Sequence, residues 1–234
     1  MIKFRYLELL LLLLCFPQIM MAQDVKVQGH EEVNSEVKLG VRAGHNVVFG
    51  GFAAISFETK QTFRNDFDIS GGIQYNTIGK TALEARPAYA INFDWGKIVP
   101  ELLLAYTNFA SINSFSAGAG VLGDFGMISA KLGYHYHIYG GYGGKIIEPF
   151  NIYYECILHL LRKPDNWKLD LVITNNEIFE LERHYQPSFI VESFYYPTNR
   201  LGISFGIGYK PAGIFHLSAD NYQSYIKTGI CYRW

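Results

Sequence analysis

Hydrophobic and polar residues alternate along most of the chain with a period of two. In residues 127–139, one face carries Ile128, Ala130, Leu132, Tyr134, Tyr136 and Ile138, and the other carries Ser129, Lys131, Gly133, His135, His137 and Tyr139. Successive side chains of a β-strand point to opposite faces of the sheet. The pattern therefore predicts a strand with one apolar side and one polar side.

Twelve segments show this alternation. They lie near residues 36–45, 47–60, 64–77, 81–95, 97–109, 112–123, 127–139, 147–161, 166–174, 184–196, 200–210 and 223–234. A tilted strand needs about 9–11 residues to cross a bilayer, whereas strands of soluble domains average about 5–6. The lengths predict an all-β protein: a single antiparallel, up-and-down transmembrane β-barrel of twelve strands, within a range of ten to fourteen.

The connections between the predicted strands differ in length. Those at 60–64, 94–97, 123–126, 161–166 and 196–200 are tight and rich in turn residues, whereas longer ones fall at 139–147, 174–184 and 210–222. Short turns on one rim and longer loops on the other are typical of outer-membrane barrels.

Alternation alone does not decide which face meets water, because a soluble periplasmic lipid-binding barrel shows the same period. The aromatic residues favour a membrane barrel. If both termini are periplasmic, Trp95, Trp167 and Trp234 all fall on one rim. Tyrosines such as Tyr75 and Tyr225 fall near the other rim, and bilayer interfaces favour both side chains.

The C-terminal segment, YIKTGICYRW, places Ile226, Thr228, Ile230, Tyr232 and Trp234 on one face and ends on an aromatic residue. It resembles the closing strand of Gram-negative outer-membrane β-barrel proteins. That resemblance implies location in the cell outer membrane and contact with its lipids. It also implies recognition of residues 223–234 by the barrel-insertion machinery, and it assigns no activity.

The N-terminal segment has the features of an export signal. In residues 1–22, Lys3 and Arg5 precede a short apolar core that Pro17 interrupts, and Ala22 is a small residue at the expected cleavage site. This is the pattern of a secretory signal peptide. We therefore expect a signal peptide at 1–22, a polar N-terminal tail at 23–35 and the barrel at 36–234.

Composition and charge narrow the function classes. Charged residues make up 18% of the 234 residues, below the roughly 25% of soluble domains, and the formal net charge is −1. A near-neutral chain lacks the basic surface of a nucleic-acid-binding protein. Of the two cysteines beyond the signal segment, Cys156 lies in the apolar phase and Cys231 in the polar phase, so a disulfide between them is not expected.

The polar phase of the strands predicts a charged lumen. Its members include Asp68, Glu84, Arg86, Glu101, Lys131, Glu155, Glu192 and Lys227. These side chains could pair across the lumen and block it, or line a narrow wet passage. No cofactor is predicted.

Three local patterns carry candidate chemistry. His135 and His137 lie two apart on the polar face of one strand, a spacing that could chelate a metal, although no third ligand is evident nearby. His216-Leu217-Ser218 is similar to the His-x-Ser of outer-membrane phospholipase and lipid A deacylase, which would make Ser218 a nucleophile and His216 its base. The glycine-rich run at 140–144 has no helix after it, so it does not indicate a phosphate site.

These observations predict a non-enzymatic outer-membrane protein, either a narrow porin-like channel or a structural barrel that displays its outer loops. Two alternatives stay open at this point. One is an outer-membrane lipid hydrolase that uses His216 and Ser218, and the other is a soluble periplasmic lipid-binding barrel. The sequence leaves the transported solutes and surface ligands open.

Overall fold

The computed structural model describes residues 35–46, 50–63, 66–109, 112–141, 144–161, 166–176, 187–211 and 223–234. Within these ranges the secondary structure is β-strand. The strands are β1 (Ser35–Asn46), β2 (Gly50–Thr62), β3 (Phe67–Asn76), β4 (Lys80–Tyr89), β5 (Ile91–Phe93), β6 (Gly96–Phe109), β7 (Ile112–Asp124), β8 (Ile128–Gly141), β9 (Gly144–Leu161), β10 (Trp167–Thr174), β11 (Ser188–Tyr195), β12 (Leu201–Lys210) and β13 (Gln223–Arg233).

The described strands form one closed antiparallel sheet. Apart from β4 and β5, each strand pairs with its sequence neighbours. β4 pairs with β6, and β1 pairs with β13 to close the ring. The short β5 continues β4 on the same partner, since Ala85 faces Leu104 and Ile91 faces Ile98 in one unbroken register. The described part of the chain is thus a twelve-stranded barrel, and the predicted fold class is confirmed.

The closing joint brings together the two ends of the barrel sequence. Ser35 and Trp234 exchange two backbone hydrogen bonds of 3.1 Å each, and Leu39 lies opposite Ile230 in the same ladder. A closed sheet leaves no unpaired strand edge, which would cost several kcal/mol per unpaired backbone group in hydrocarbon.

The apolar phase of the strands points away from the barrel axis. Leu132, Phe93 and Ile230 are 63%, 43% and 56% exposed, whereas the strand neighbours of Leu132 and Ile230 on the other phase are buried or partly buried. Along β12, exposed and buried residues alternate without exception. An apolar surface of this extent is stable against acyl chains and unfavourable in water. This direction excludes the soluble lipid-binding barrel, in which the apolar phase lines the interior.

We call the end of the barrel that contains Ser35 and Trp234 the terminal rim, and the opposite end the loop rim. The terminal rim also holds the connections at 63–66, 94–95, 125–127, 162–166 and 196–200. The loop rim holds two long connections, at 175–187 and 211–222, together with short ones such as 77–79. The long connections are therefore confined to the loop rim, which also carries short ones.

The expected loop at 139–147 is wrong in extent. β8 runs to Gly141 and β9 begins at Gly144, and the two strands stay paired there, with Gly140 opposite Lys145 and Gly141 opposite Gly144. Glycine fits both an open loop and the paired end of a hairpin, because it has no side chain. A glycine-rich run at a strand end therefore does not distinguish the two.

The cysteines lie in separate environments. Cys156 is exposed on the outer face, Cys231 is buried toward the interior, and both are free thiols. Residues 1–34, which contain the predicted signal peptide and almost all of the predicted polar tail, lie outside the described residues. No described segment is a helix long and apolar enough to cross a membrane.

Candidate functional site

A network of charged side chains lies inside the barrel, with Arg86 of β4 at its centre. Arg86 contacts Glu84 on its own strand, and its Nη1 donates a hydrogen bond of 2.8 Å to Oε1 of Glu101 on β6. On the other side of Glu101, Lys131 of β8 donates from Nζ to Oε2 over 3.0 Å. Two carboxylates and two cations thus neutralise one another in a site where the side chains of Glu84, Arg86 and Glu101 are each less than a tenth exposed.

The network reaches across the lumen to the segment that follows β10. Arg86 Nη2 donates a hydrogen bond of 2.9 Å to the side-chain oxygen of Asn176. In the described ring, β6, β7, β8 and β9 separate β4 from β10 on one side, and six strands separate them on the other. The contact therefore joins nearly opposite walls and narrows the passage between them.

Asn175 holds this segment against the wall. Its side-chain amide donates to the backbone oxygen of Ile152 over 2.9 Å, and its side-chain oxygen accepts from the backbone N–H of Tyr154 over 2.7 Å. These bonds prolong the β9 ladder beyond the end of β10. Asn175 and Asn176 are both buried, and the Asn176 side chain reaches Arg86 inside the barrel.

Tyr153 completes the network from β9. Its hydroxyl donates a hydrogen bond of 3.2 Å to Oε1 of Glu101. Its ring lies over Gly120 and Gly133, where a Cβ atom at either position would overlap the ring or the hydroxyl. The two glycines therefore let a large aromatic side chain lie flat against the inner wall.

His135 and His137 lie next to this network, on the lumen face of β8, and both are buried. Their Nε2 atoms are 3.3 Å apart, and His137 Nδ1 is 2.8 Å from the hydroxyl of Ser116. The rings of His135 and Tyr153 form an edge-type contact, with centroids 5.7 Å apart. Among the described residues, no group of three or more His, Cys, Asp or Glu side chains is arranged to hold a metal ion.

A second ionic group lies between β1, β11 and β13. Glu192 is 2.5 Å from Nζ of Lys227 and 3.5 Å from Nζ of Lys38. Elsewhere on the inner wall, Asp68 pairs with Lys60 over 3.0 Å. Glu155 of β9 is half-buried and lies opposite Lys131 in the ladder.

The structure thus distributes the eight polar residues that the sequence singled out over several sites. Four lie in the central network, two in the group around Glu192, and Asp68 and Glu155 lie apart from both. Sequence reasoning missed Tyr153 and Asn176. Tyr153 falls in the polar phase of β9, which was a usable signal, whereas nothing local in the sequence indicates that Asn176 reaches the opposite wall.

Arg42 lies at the loop-rim end of β1, inside the barrel. It is 2% exposed, and its guanidinium carbon lies 3.3 Å from the ring centroid of Tyr225 and 5.6 Å from that of Phe52. A cation over an aromatic face gains more when water is excluded. Tyr225 is at the height that the sequence suggested, but its side chain faces the lumen instead of the bilayer interface.

The three tryptophans all lie at the terminal rim and are exposed on the outer surface. Trp95 stacks between Phe93 and Phe125, with ring centroids 5.0 and 5.8 Å away. Trp167 donates from Nε1 to the hydroxyl of Ser193 over 2.8 Å, and Trp234 packs on Tyr232. Amphipathic rings in this position suit a membrane–water boundary.

The predicted hydrolase residues, His216 and Ser218, lie outside the described residues. The same holds for most of the predicted outer loops at 174–184 and 210–222.

No protein-family model and no curated protein matches the sequence. Solved structures do match the fold. A KdgM porin in complex with oligogalacturonate has a TM-score of 0.58 and 10% identity, over 85% of this chain and 99% of that chain. A NanC porin has a TM-score of 0.56 and 13% identity, over 86% and 100%.

An enzyme shares the same architecture. Outer membrane phospholipase A from Escherichia coli matches with a TM-score of 0.52 and 7% identity, over 90% of this chain and 93% of that chain. At such identities the comparisons show the fold and do not transfer an activity. The closed twelve-stranded ring, the outward apolar face and the aromatic terminal rim together make this chain an outer-membrane β-barrel in fold.

Proposed function

We propose that the protein is a narrow channel for small polar solutes in the outer membrane. The observation that carries this proposal is the polar, ion-paired interior within an apolar wall, with the Arg86–Asn176 contact spanning it. Porins of the same fold support the channel interpretation.

The central network sets the properties of the passage. Glu84 and Glu101 balance Arg86 and Lys131, so the constriction carries no net formal charge. Fixed charges lining a pore control which ions pass. We therefore infer a small conductance with weak preference between cations and anions.

The test is single-channel recording of the refolded protein in a planar bilayer. We predict that Asn176→Ala increases the conductance, because it removes the cross-lumen contact and leaves the ion pairs of Arg86 in place. Asn113→Ala is the matched control, since Asn113 is an exposed residue at the loop rim that bonds to Tyr106 and Asn108. An unchanged conductance in Asn176→Ala, or no conductance in the wild type, would contradict the proposal and favour a structural or display role.

We also propose that residues 1–22 direct export and that residues 223–234 are recognised by the barrel-insertion machinery. Support comes from β13, which carries alternating outward residues, ends next to Trp234 and forms the closing joint with β1. Deletion of Trp234 should lower the fraction of protein assembled in outer membranes, measured by heat-modifiable gel mobility. Deletion of the first two residues of the predicted tail, Gln23 and Asp24, serves as the control, and equal assembly of both variants would contradict this role of the terminus.

A further inference from the structure

Three lumen-facing side chains on neighbouring strands form a Ser–His–Asp arrangement near the terminal rim. The hydroxyl oxygen of Ser129 on β8 is 3.0 Å from Nε2 of His159 on β9. The Nδ1 atom of the same imidazole is 2.7 Å from Oδ1 of Asp170 on β10. All three are largely buried, with Ser129 6% exposed and the side chains of His159 and Asp170 11% and 13% exposed.

The strand register brings the three residues together. Ser129 is the second residue of β8 and lies opposite Ile157, two positions before His159 on the same face of β9. Asp170 lies directly opposite His159 in the regular part of the β9–β10 ladder, which continues through Val172 opposite Ile157. The register shifts by one residue only beyond this point, between Asp170 and Leu169.

The atoms in contact are those of a catalytic triad. A carboxylate at Nδ1 keeps the imidazole proton on that nitrogen and leaves Nε2 free to accept the proton of the serine hydroxyl. The same barrel holds a second serine–histidine contact. Nδ1 of His137 is 2.8 Å from the hydroxyl of Ser116, and its Nε2 is 3.3 Å from Nε2 of His135.

An apolar row adjoins the serine on the inner wall of the barrel. Ile157 lies opposite Ser129, Val172 lies opposite Ile157, and Ile190 lies opposite Val172 in successive ladders. Val172 and Ile190 belong to a buried cluster against which Ile157 packs. Porin-type lumens are polar, so a row of aliphatic side chains beside an activated hydroxyl favours a substrate with an acyl group.

We propose that Ser129, His159 and Asp170 form a serine hydrolase site for acyl esters that enter the lumen at the terminal rim. Ser129 Oγ attacks the ester carbonyl carbon and its proton passes to His159 Nε2. The bond to the alcohol oxygen then breaks, and His159 returns the proton to that oxygen.

Water completes the cycle. It attacks the acyl group on Ser129 while His159 takes its proton, the Ser129 oxygen departs and regains a proton, and the carboxylic acid leaves. Ser129 and His159 are the catalytic residues. Asp170 is a positioning residue that acts through the imidazole.

A fluorescent fluorophosphonate, which reacts covalently with activated serines, tests the site on the full barrel in detergent. We expect peptide mass spectrometry to locate the adduct on Ser129. Labelling and p-nitrophenyl butyrate hydrolysis should fall by at least about 100-fold in Ser129→Ala and in His159→Gln. Ser116→Ala should keep both activities, because the Ser116 hydroxyl lies beside His137 and not beside His159.

Asp170→Asn tests the positioning role. It should lower kcat by about 100-fold or more with little change in KM, since it alters the imidazole tautomer and not substrate contacts. Loss of folding alone would lower the amount of active barrel and be visible as lost heat-modifiable mobility. An unlabelled wild type, or equal hydrolysis by the wild type and Ser129→Ala, would overturn the proposal irrespective of how any variant folds.

Discussion

Single side chains in this barrel have sharply different environments on the two faces of one strand. On β8, Leu132 is 63% exposed toward the outside, while the next residue, Gly133, lies under the ring of Tyr153. The outer position selects for apolar character. The inner position selects for the absence of a side chain, because any Cβ there would displace Tyr153 from Glu101.

Leu132 gives the residue-scale prediction. We expect Leu132→Arg to lower the free energy of unfolding by about 2–4 kcal/mol if it lies near the bilayer midplane, because the charge must enter hydrocarbon. Leu132→Phe keeps the position apolar and serves as the control for size. Denaturant unfolding in lipid vesicles measures both, and equal stabilities would contradict the outward assignment of this face.

The sequence predicts well whether a side chain faces the lumen or the outer surface. It predicts poorly which other side chain it contacts. The alternation along β6 and β8 placed Glu101 and Lys131 on the lumen side, where the structure has them. Their pairing with each other, and the reach of Asn176 to Arg86, depend on barrel closure and strand register. These quantities come from pairings across the whole chain and leave no local pattern.

At the scale of elements, the pairing between β4 and β6 is interrupted. It runs from Lys80 opposite Phe109 to Ala85 opposite Leu104, stops over two residues, and resumes in the same register with Ala88 opposite Glu101. Pro87 lies in the break and has no N–H to donate. On the outer side of this seam is a hollow of about 700 Å³ lined by apolar residues, including Pro87, Pro100 and Leu132.

This seam should open more readily than its neighbour. We predict that the backbone amides of Ala85, Arg86 and Ala88 exchange hydrogen about fivefold to tenfold faster than those of residues 117–120, which lie in the continuous β6–β7 ladder. The factor corresponds to about one missing hydrogen bond. Exchange measured by mass spectrometry on the barrel in detergent provides the comparison, and similar protection of both stretches would show that the proline does not weaken the seam.

The alternation predicts some strand boundaries to within a few residues. The segment predicted at 97–109, for example, is observed at Gly96–Phe109. The long β9, Gly144–Leu161, was harder. Its first residues carry no clear alternation, and their strand state comes from pairing with the end of β8. Tertiary pairing overrides local propensity most strongly in sheets.

At the scale of the whole molecule, the inside is not a uniform water-filled tube. A network of paired charges, an apolar cluster around Val172 and Ile190, and the Asn175–Asn176 segment all occupy it. Twelve strands enclose more space than the eight-stranded barrels that side chains alone can fill. The extra width is taken up here by a chain segment and by long cationic side chains such as Arg42.

The joint between Ser35 and Trp234 has a consequence for how the molecule is made. The ion pair of Glu36 with Arg233 connects residues 197 positions apart, so the first strand has no permanent partner on one side until the ribosome has finished the last. During that interval the unpaired backbone groups of β1 can pair with other chains and promote aggregation. The barrel can therefore close only after its last strand has been made.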